Sequence, residues 1–345
     1  MLLARPRRTA VVLTLAATLF AESDGLAQAP DRAAVATTPH FGFYSDFATN
    51  LNDAVIATGV ARRAKKAELF QSGAEQTCFD GLPAAERAAW NRAVDYYAEI
   101  VSPAQFTAPL QVIPRLDLAG MVKKEDLTEA AERRFLDITS GFRAAAAPAY
   151  ERCRWSSQDA ANRRWIEGLL PVLAIHAAAI AQRLPQLYGT PWAGMPFRVD
   201  VVETVSFAGA DSINLRDPSR LHILVSSSSP ANQGRGGLEI VFHEASHFLT
   251  GTNSPLRAAL AAAARDAGGI LRGDLAHPVQ FYMTGETVRR VLDKPGELPY
   301  TPVLFALSLF GAEFRDAVQK TWPAYMDGKR TLREAAADLI RALAK

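Results

Sequence analysis

The sequence predicts a mainly α chain with a small β-sheet, an α+β fold in which a helical N-terminal half precedes a mixed C-terminal half. Three observations carry this expectation. Apolar residues recur at helical spacing through most of residues 45–188. Alanine, the strongest helix former, is concentrated in the same stretches. Strand-like alternation is confined to two short segments after residue 196, FRVDVVETVSF and RLHILVS. A chain of 345 residues has room for one large or two smaller domains and for a sizeable core.

The elements follow in order. Arg5, Arg7 and Arg8 precede an apolar run at 9–21, which is short for a bilayer span and suited to a secretory leader. The small residues Gly25 and Ala27 place cleavage after Ala27, making 1–27 a signal peptide and the mature chain periplasmic or secreted. The paired Arg7 and Arg8 also hint at twin-arginine export. No later segment is expected to span a membrane. Residues 30–44 read as irregular. From Ser45, a good N-cap, Phe47, Leu51, Val55 and Ile56 form a helical stripe. Pro83 opens a second helix carrying Ala88, Trp90, Val94, Tyr97 and Ile100. A third covers 124–146, and a fourth covers 158–184 with Pro171 expected to kink it. Residues 28–190 thus form a helical N-terminal region. The turn-rich stretch YGTPWAGMP leads into the region 191–345, with its two strands and, later, helices near 255–266, 277–293, 302–321 and 331–344.

Cys78 and Cys153 are the only cysteines. In an oxidising compartment an even count suggests one disulfide; two buried free thiols are the competing reading. The net charge of +2 is spread along the chain, with no basic tract interleaved with aromatics, which argues against a nucleic-acid partner.

The chemistry concentrates in GGLEIVFHEASHFLTG, residues 236–251. His243 and His247, at i and i+4, lie about 40° apart around a helix, so both imidazoles can reach one ion. Leu238, Val241, Phe242, Ala245, Phe248 and Leu249 fill one arc, which leaves His243, Glu244 and His247 facing a cleft or water. Two neutral imidazoles leave a zinc ion room for a third protein ligand and a water. Glu244 is placed to take a proton from that water and hand it to a leaving group. With 6 histidines in the chain, chance placement gives this pattern in about one chain in two hundred of this composition, which disfavours coincidence.

The H-E-x-x-H segment resembles the zincin metallopeptidases, over the motif and its immediate setting. No histidine follows His247 closely enough for the metzincin pattern, so the resemblance turns to the gluzincins, whose third ligand is a glutamate on a later helix. That implies a zincin-like catalytic region in 191–345, with His243, His247 and Glu286 as Zn2+ ligands and Glu244 as base. The segment around Glu286 matches no tight family signature. Glu286 is also a candidate surface acid paired with Arg289 or Arg290, and His277 is its rival as third ligand. His277 or Tyr282 is a candidate donor to the oxyanion of a tetrahedral intermediate. Phe281, Val288 and Leu292 make the apolar stripe of that helix, and Gly285 permits close approach of a neighbour.

Glu239, at i−4 to His243, is read as an orienting acceptor for that ring or as a solvated helix glutamate. His176 and His222 read as packed histidines, and His40 as part of a mobile leader. In zincins an edge strand pairs with an extended peptide substrate, which makes 220–226 the expected partner strand here. Two functions stand side by side. One is an exported zinc hydrolase, either a peptidase or an amide or ester hydrolase of small molecules. The other is a non-catalytic extracytoplasmic helical binding or envelope protein with a structural or relic metal site. An intact Glu244 distinguishes them, because a structural site has no need of it.

Overall fold

Alternating apolar residues in FRVDVV and HILVS require a surface that is buried on one face, and the computed structural model shows what provides it. It describes residues 33–64, 72–100, 130–192, 195–205, 209–213, 221–269, 274–293 and 298–344. The expected signal peptide, the start of the third expected helix and the ends of both strand segments lie outside these residues. Among the described residues, β1 (Ala36–Thr37), β2 (Phe41–Tyr44), β3 (Phe197–Val202), β4 (Ala210–Ile213) and β5 (His222–Ser226) form a mixed sheet in the order β1-β2-β3-β5-β4. The β2–β3 and β3–β5 pairs are parallel, and the outer pairs are antiparallel. The period of two places Phe41, Phe43, Phe197, Val199, Val201, Ile223 and Val225 in one core.

Two expectations are corrected by the sheet. Part of the stretch expected to be irregular is strand β2, whose register pairs Phe41 with Phe197; four residues with so distant a partner leave no local signature. The segment 220–226 is not an edge. It contains β5, which is hydrogen-bonded to β3 on one side and β4 on the other, so its own edges are used. The edge strand beside β5 is β4, four half-polar residues too short to announce themselves by alternation.

The N-terminal helices α1 (Phe47–Arg63), α2 (Gly73–Asp80), α3 (Ala84–Ile100) and α4 (Ala130–Tyr150) surround a cluster that includes Val55, Phe79, Trp90, Val94 and Tyr150. The N-cap of α1 is Asp46 rather than Ser45, because its carboxylate receives the Thr49 N–H at 2.8 Å. Ser45 instead accepts from Asn162. Cys78 and Cys153 are joined as a disulfide with their Cα atoms 5.5 Å apart. Arg154 and Glu75, one residue past Cys153 and three before Cys78, form a buried ion pair beside it.

A π-helical turn, Glu151–Trp155, joins α4 to α5 (Ser156–Tyr188). One helical run, Arg133–Tyr188, is long and apolar enough to cross a membrane by length and composition alone. In the fold, the Trp165, Ile166, Leu169, Leu173, Ile180 and Leu184 face of α5 packs into the same core as the sheet. Pro171 and Pro185 both lie inside this helix. The described residues from 34 onward fall in one compact unit. Asn162 on α5 shows why: its amide donates to Asn50 on α1 at 3.0 Å and to the Val201 carbonyl on β3 at 2.9 Å.

The C-terminal part contains α6 (Arg235–Ser246), α7 (Pro255–Asp266), α8 (Ala276–Leu292), α9 (Val303–Ala306), α10 (Ala312–Thr321), α11 (Pro323–Met326) and α12 (Leu332–Leu343). The helix expected over 302–321 is broken. Ser308 and Phe310 take left-handed backbone, with φ of 51° and 59°, and end helical hydrogen bonding between α9 and α10.

The disulfide spans a sequence separation of 75 residues. The Cys78→Ser/Cys153→Ser variant is therefore expected to lose about 2–4 kcal/mol of stability in urea unfolding, because the unfolded chain regains the entropy of the open loop. Its metal content should not change.

Candidate metal centre

The motif helix is more enclosed than its sequence suggests. Every residue of α6 from Gly236 to Ser246 is buried, His243 and Glu244 included. Its apolar arc, Leu238, Val241, Phe242 and Ala245, enters the core shared with α5 and the sheet. The arc expected to face a cleft or water is covered by α8.

The two helices run antiparallel and meet in steps of four residues. Glu239 of α6 lies against Gly285 of α8, where an added Cβ would stand 2.8 Å from the Glu239 Oε1 atom. One step on, the His243 ring stacks on Phe281, with centroids 3.6 Å apart and planes 27° apart. A further step brings His247 to His277, with centroids at 5.0 Å. Polar bonds lock this register. The Gln280 amide donates to the His243 carbonyl at 2.9 Å and accepts from Thr250 at 2.7 Å. The Ser246 and Thr284 hydroxyls meet at 3.2 Å, as do those of Tyr188 and Thr284. As expected, Gly285 allows the close approach.

This register assembles a three-imidazole site. One ring nitrogen from each of His243, His247 and His277 lies within 4.8 Å of the others, a set that could hold a metal ion. Both nitrogens of His243 are buried and have no hydrogen-bond partner in the protein. Such orphaned buried groups are rare, and a coordinated ion would satisfy one of them. Burial, reinforced by the mutual repulsion of the rings, holds His243 well below the ordinary imidazole range; burial likewise lowers His247 and His277. All three are therefore neutral at pH 7, with lone pairs available to a metal. A nitrogen set of this kind suits zinc and its first-row neighbours. The buried Glu244 adjoins the cluster, with its Oε2 atom 3.7 Å from the His247 Nε2 atom. The His247 side chain is 31% exposed, so the cluster reaches solvent on that side.

Glu286 is not part of this centre, which corrects the ligand expected from the gluzincin resemblance. Nine residues along α8 from His277, it lies about 13 Å farther along the axis and half a turn around it. Its carboxylate is taken by Arg289, at 2.7 Å through both Nε and Nη2, and by the Arg290 Nε atom at 2.7 Å. These charges hold it below the usual carboxylate range against the effect of burial. Tyr282 is likewise misplaced as an oxyanion donor. It packs on Phe305 and feels the charge of Glu286, and burial raises its phenol. His277, the rival, is the residue at the cluster.

Glu239 neither orients His243 nor meets solvent. It is fully buried and accepts from the Tyr300 hydroxyl at 2.8 Å and from the Val303 N–H at 3.1 Å. Burial pushes its carboxyl up to about 7. His222 is a packed strand histidine bonded to Asp200 at 2.8 Å, and His176 is buried as expected. His40 belongs to the turn before β2, with its ring 6.4 Å from Phe242.

Other neighbours gave no sequence signal. Asp211 on β4 and Asp274 before α8 both act electrostatically on His247 and His277. Asp274 is held by a two-pronged pair with Arg257, at 2.9 and 3.0 Å, and caps Ala276 at 3.1 Å. Phe281 and Phe310 supply the aromatic wall. Only the i, i+4 spacing of His277 and Phe281 could have paired those two residues on one helix face. No family model, curated protein or solved structure matches the chain.

Two outcomes follow. Metal titration should show that His277→Ala loses stoichiometric binding while Glu286→Ala keeps it. The second concerns Glu239, whose raised carboxyl binds its proton more tightly folded than unfolded. That contribution is fully present below the ordinary 4.5 and is lost as the pH rises through about 7. Relative to wild type, Glu239→Gln should therefore gain stability between pH 5 and 8, by about 3 kcal/mol at most, read as the difference in urea unfolding midpoints.

Proposed function

We propose that the chain is an exported zinc-dependent hydrolase, and within that class a metallopeptidase. The observation that supports this most directly is the three-histidine cluster, with the buried His243's two nitrogens orphaned and Glu244 alongside. Zinc held there by His243, His247 and His277 would supply a Lewis acid able to polarise a carbonyl and to make water more acidic. The protein's own part is divided among named groups. The three imidazoles are neutral donors fixed by two helices. Glu244 accepts a proton on a carboxylate oxygen and returns it to the leaving nitrogen, the role of a general base turned general acid. Phe281, stacked on His243, excludes water from the inner side of the site.

A peptide partner is supported by β4. Its Asp211 acts on His247 and His277, and among the described residues no strand pairs with its outer edge. Backbone pairing along such an edge is a recurrent way to hold an extended peptide. The disulfide supports an oxidising compartment, in keeping with the expected leader. The second reading, a binding protein with a structural metal, fits the three histidines equally but gives Glu244 no task.

Zinc content of the mature protein, measured by mass spectrometry, should be one ion per chain. Glu244→Gln should keep that zinc and lose hydrolysis of a mixed peptide library by about 10²–10⁴-fold. Equal activity in the Gln variant would remove the catalytic reading, and a chain that binds no zinc would remove both.

A further inference from the structure

Between α9 and α10 the chain makes a turn that an ordinary sequence would avoid. Ser308 and Phe310 both have left-handed backbone, at φ 51° and 59°, and neither is glycine. For a bulky residue such as phenylalanine this conformation is strained and persists only where its surroundings impose it. Arg315, one turn into α10, imposes it. Its Nη1 atom donates to three successive carbonyls, those of Ser308 at 2.8 Å, Leu309 at 3.0 Å and Phe310 at 2.5 Å. The clamp gathers carbonyls that a regular helix would have turned into its own ladder.

The strain has a clear product. The Phe310 ring stands edge-on to His277, with centroids 5.9 Å apart, and to Phe281 at 5.8 Å. Phe281 is itself fully buried beneath His243. Phe310 is only half-buried, so of the aromatic rings against the histidine cluster it is one that an incoming group can touch. Phe314 supports it from α10, with centroids 6.0 Å apart. The ring is thus held beside a ligand of the candidate metal by a backbone that costs energy to maintain.

We propose that Phe310 is a specificity-determining residue, the aromatic wall that selects substrates carrying an aromatic or large apolar side chain next to the scissile bond, and that Arg315 is the positioning residue that holds it there. This rests on the zinc-hydrolase reading above. A ring meeting Phe310 gains offset or edge-to-face contact in addition to burial. A small side chain gains neither.

The test uses the full mature chain loaded with zinc and two zinc-directed probes, acetohydroxamic acid and 2-phenylacetohydroxamic acid, with affinities from calorimetry. Wild type should prefer the phenyl probe by about tenfold or more, the scale of discrimination an apolar pocket supplies. Phe310→Ala should bring the two probes within about threefold of each other, read as the ratio of their affinities in the zinc-loaded chain. Phe310→Leu, which keeps apolar volume and safeguards the fold, should fall between them. Arg315→Met should lose most of the preference with the ring still present. A wild type that binds both probes equally, or a Phe310→Ala chain that keeps the preference, overturns the inference and leaves the metal centre standing. Zinc-free protein overturns the metal reading and this inference together.

Discussion

The close antiparallel contact of α6 and α8 is the constraint on which the rest depends. At Gly285 the two helices approach so nearly that a single methyl group would collide with the Glu239 carboxylate and with Pro302. Once that contact is fixed, the common spacing of four residues does the remainder. His243 falls on Phe281 and His247 falls on His277, without any interaction that directly seeks a metal. A displacement of one helical turn along α8 would carry His277 about 6 Å away and dissolve the cluster. The buried bonds of Gln280, Thr250, Ser246, Thr284 and Tyr188 can be understood as guards on that register.

The electrostatics follow from the same packing. Enclosing three imidazoles and a carboxylate between two helices makes their charged forms expensive, and the protein answers by different means at each end of the contact. At the histidine end, burial keeps the rings neutral, which is the state a metal requires. At the other end Glu239 holds its proton up to about pH 7, steadied by Tyr300 and the Val303 N–H. Farther along α8, Glu286 is buried yet keeps its charge, because Arg289 and Arg290 reach it. The division between neutral groups and a carboxylate kept charged by its arginines runs along the line of α8.

What could be read from the sequence was local. The pair His243 and His247, the glutamate between them, the helix 255–266, the small residue at Gly285 and the packed character of His176 and His222 all depend on neighbours within a few turns. The third histidine showed itself only as a rival to Glu286, because the choice between them depends on how two helices are oriented and offset. The arginines at i+3 and i+4 from Glu286 did signal an ion pair, and the structure forms it around a carboxylate that is buried rather than at the surface. Strand β2 escaped because FGFY pairs with residues more than 150 positions away, and β4 because it is short and half-polar. The break at 308–310 defeated helical periodicity through backbone geometry alone.

Strand β2 has a consequence for how the molecule comes to exist. Phe41 pairs with Phe197, and the sheet so formed shares its core with α5 and α6. Contacts of such long range are slow to close, because the loop entropy must be lost before the pairing stabilises anything. The surface that seats the motif helix is therefore finished late, after residues from both halves have met. The candidate metal centre is not a portable cassette: a fragment beginning after residue 190 would carry all three histidines and none of α5, β1 or β2 beneath them. Evolution could alter the rim of such a site freely, yet the helix that bears it is bound to nearly the whole length of the chain.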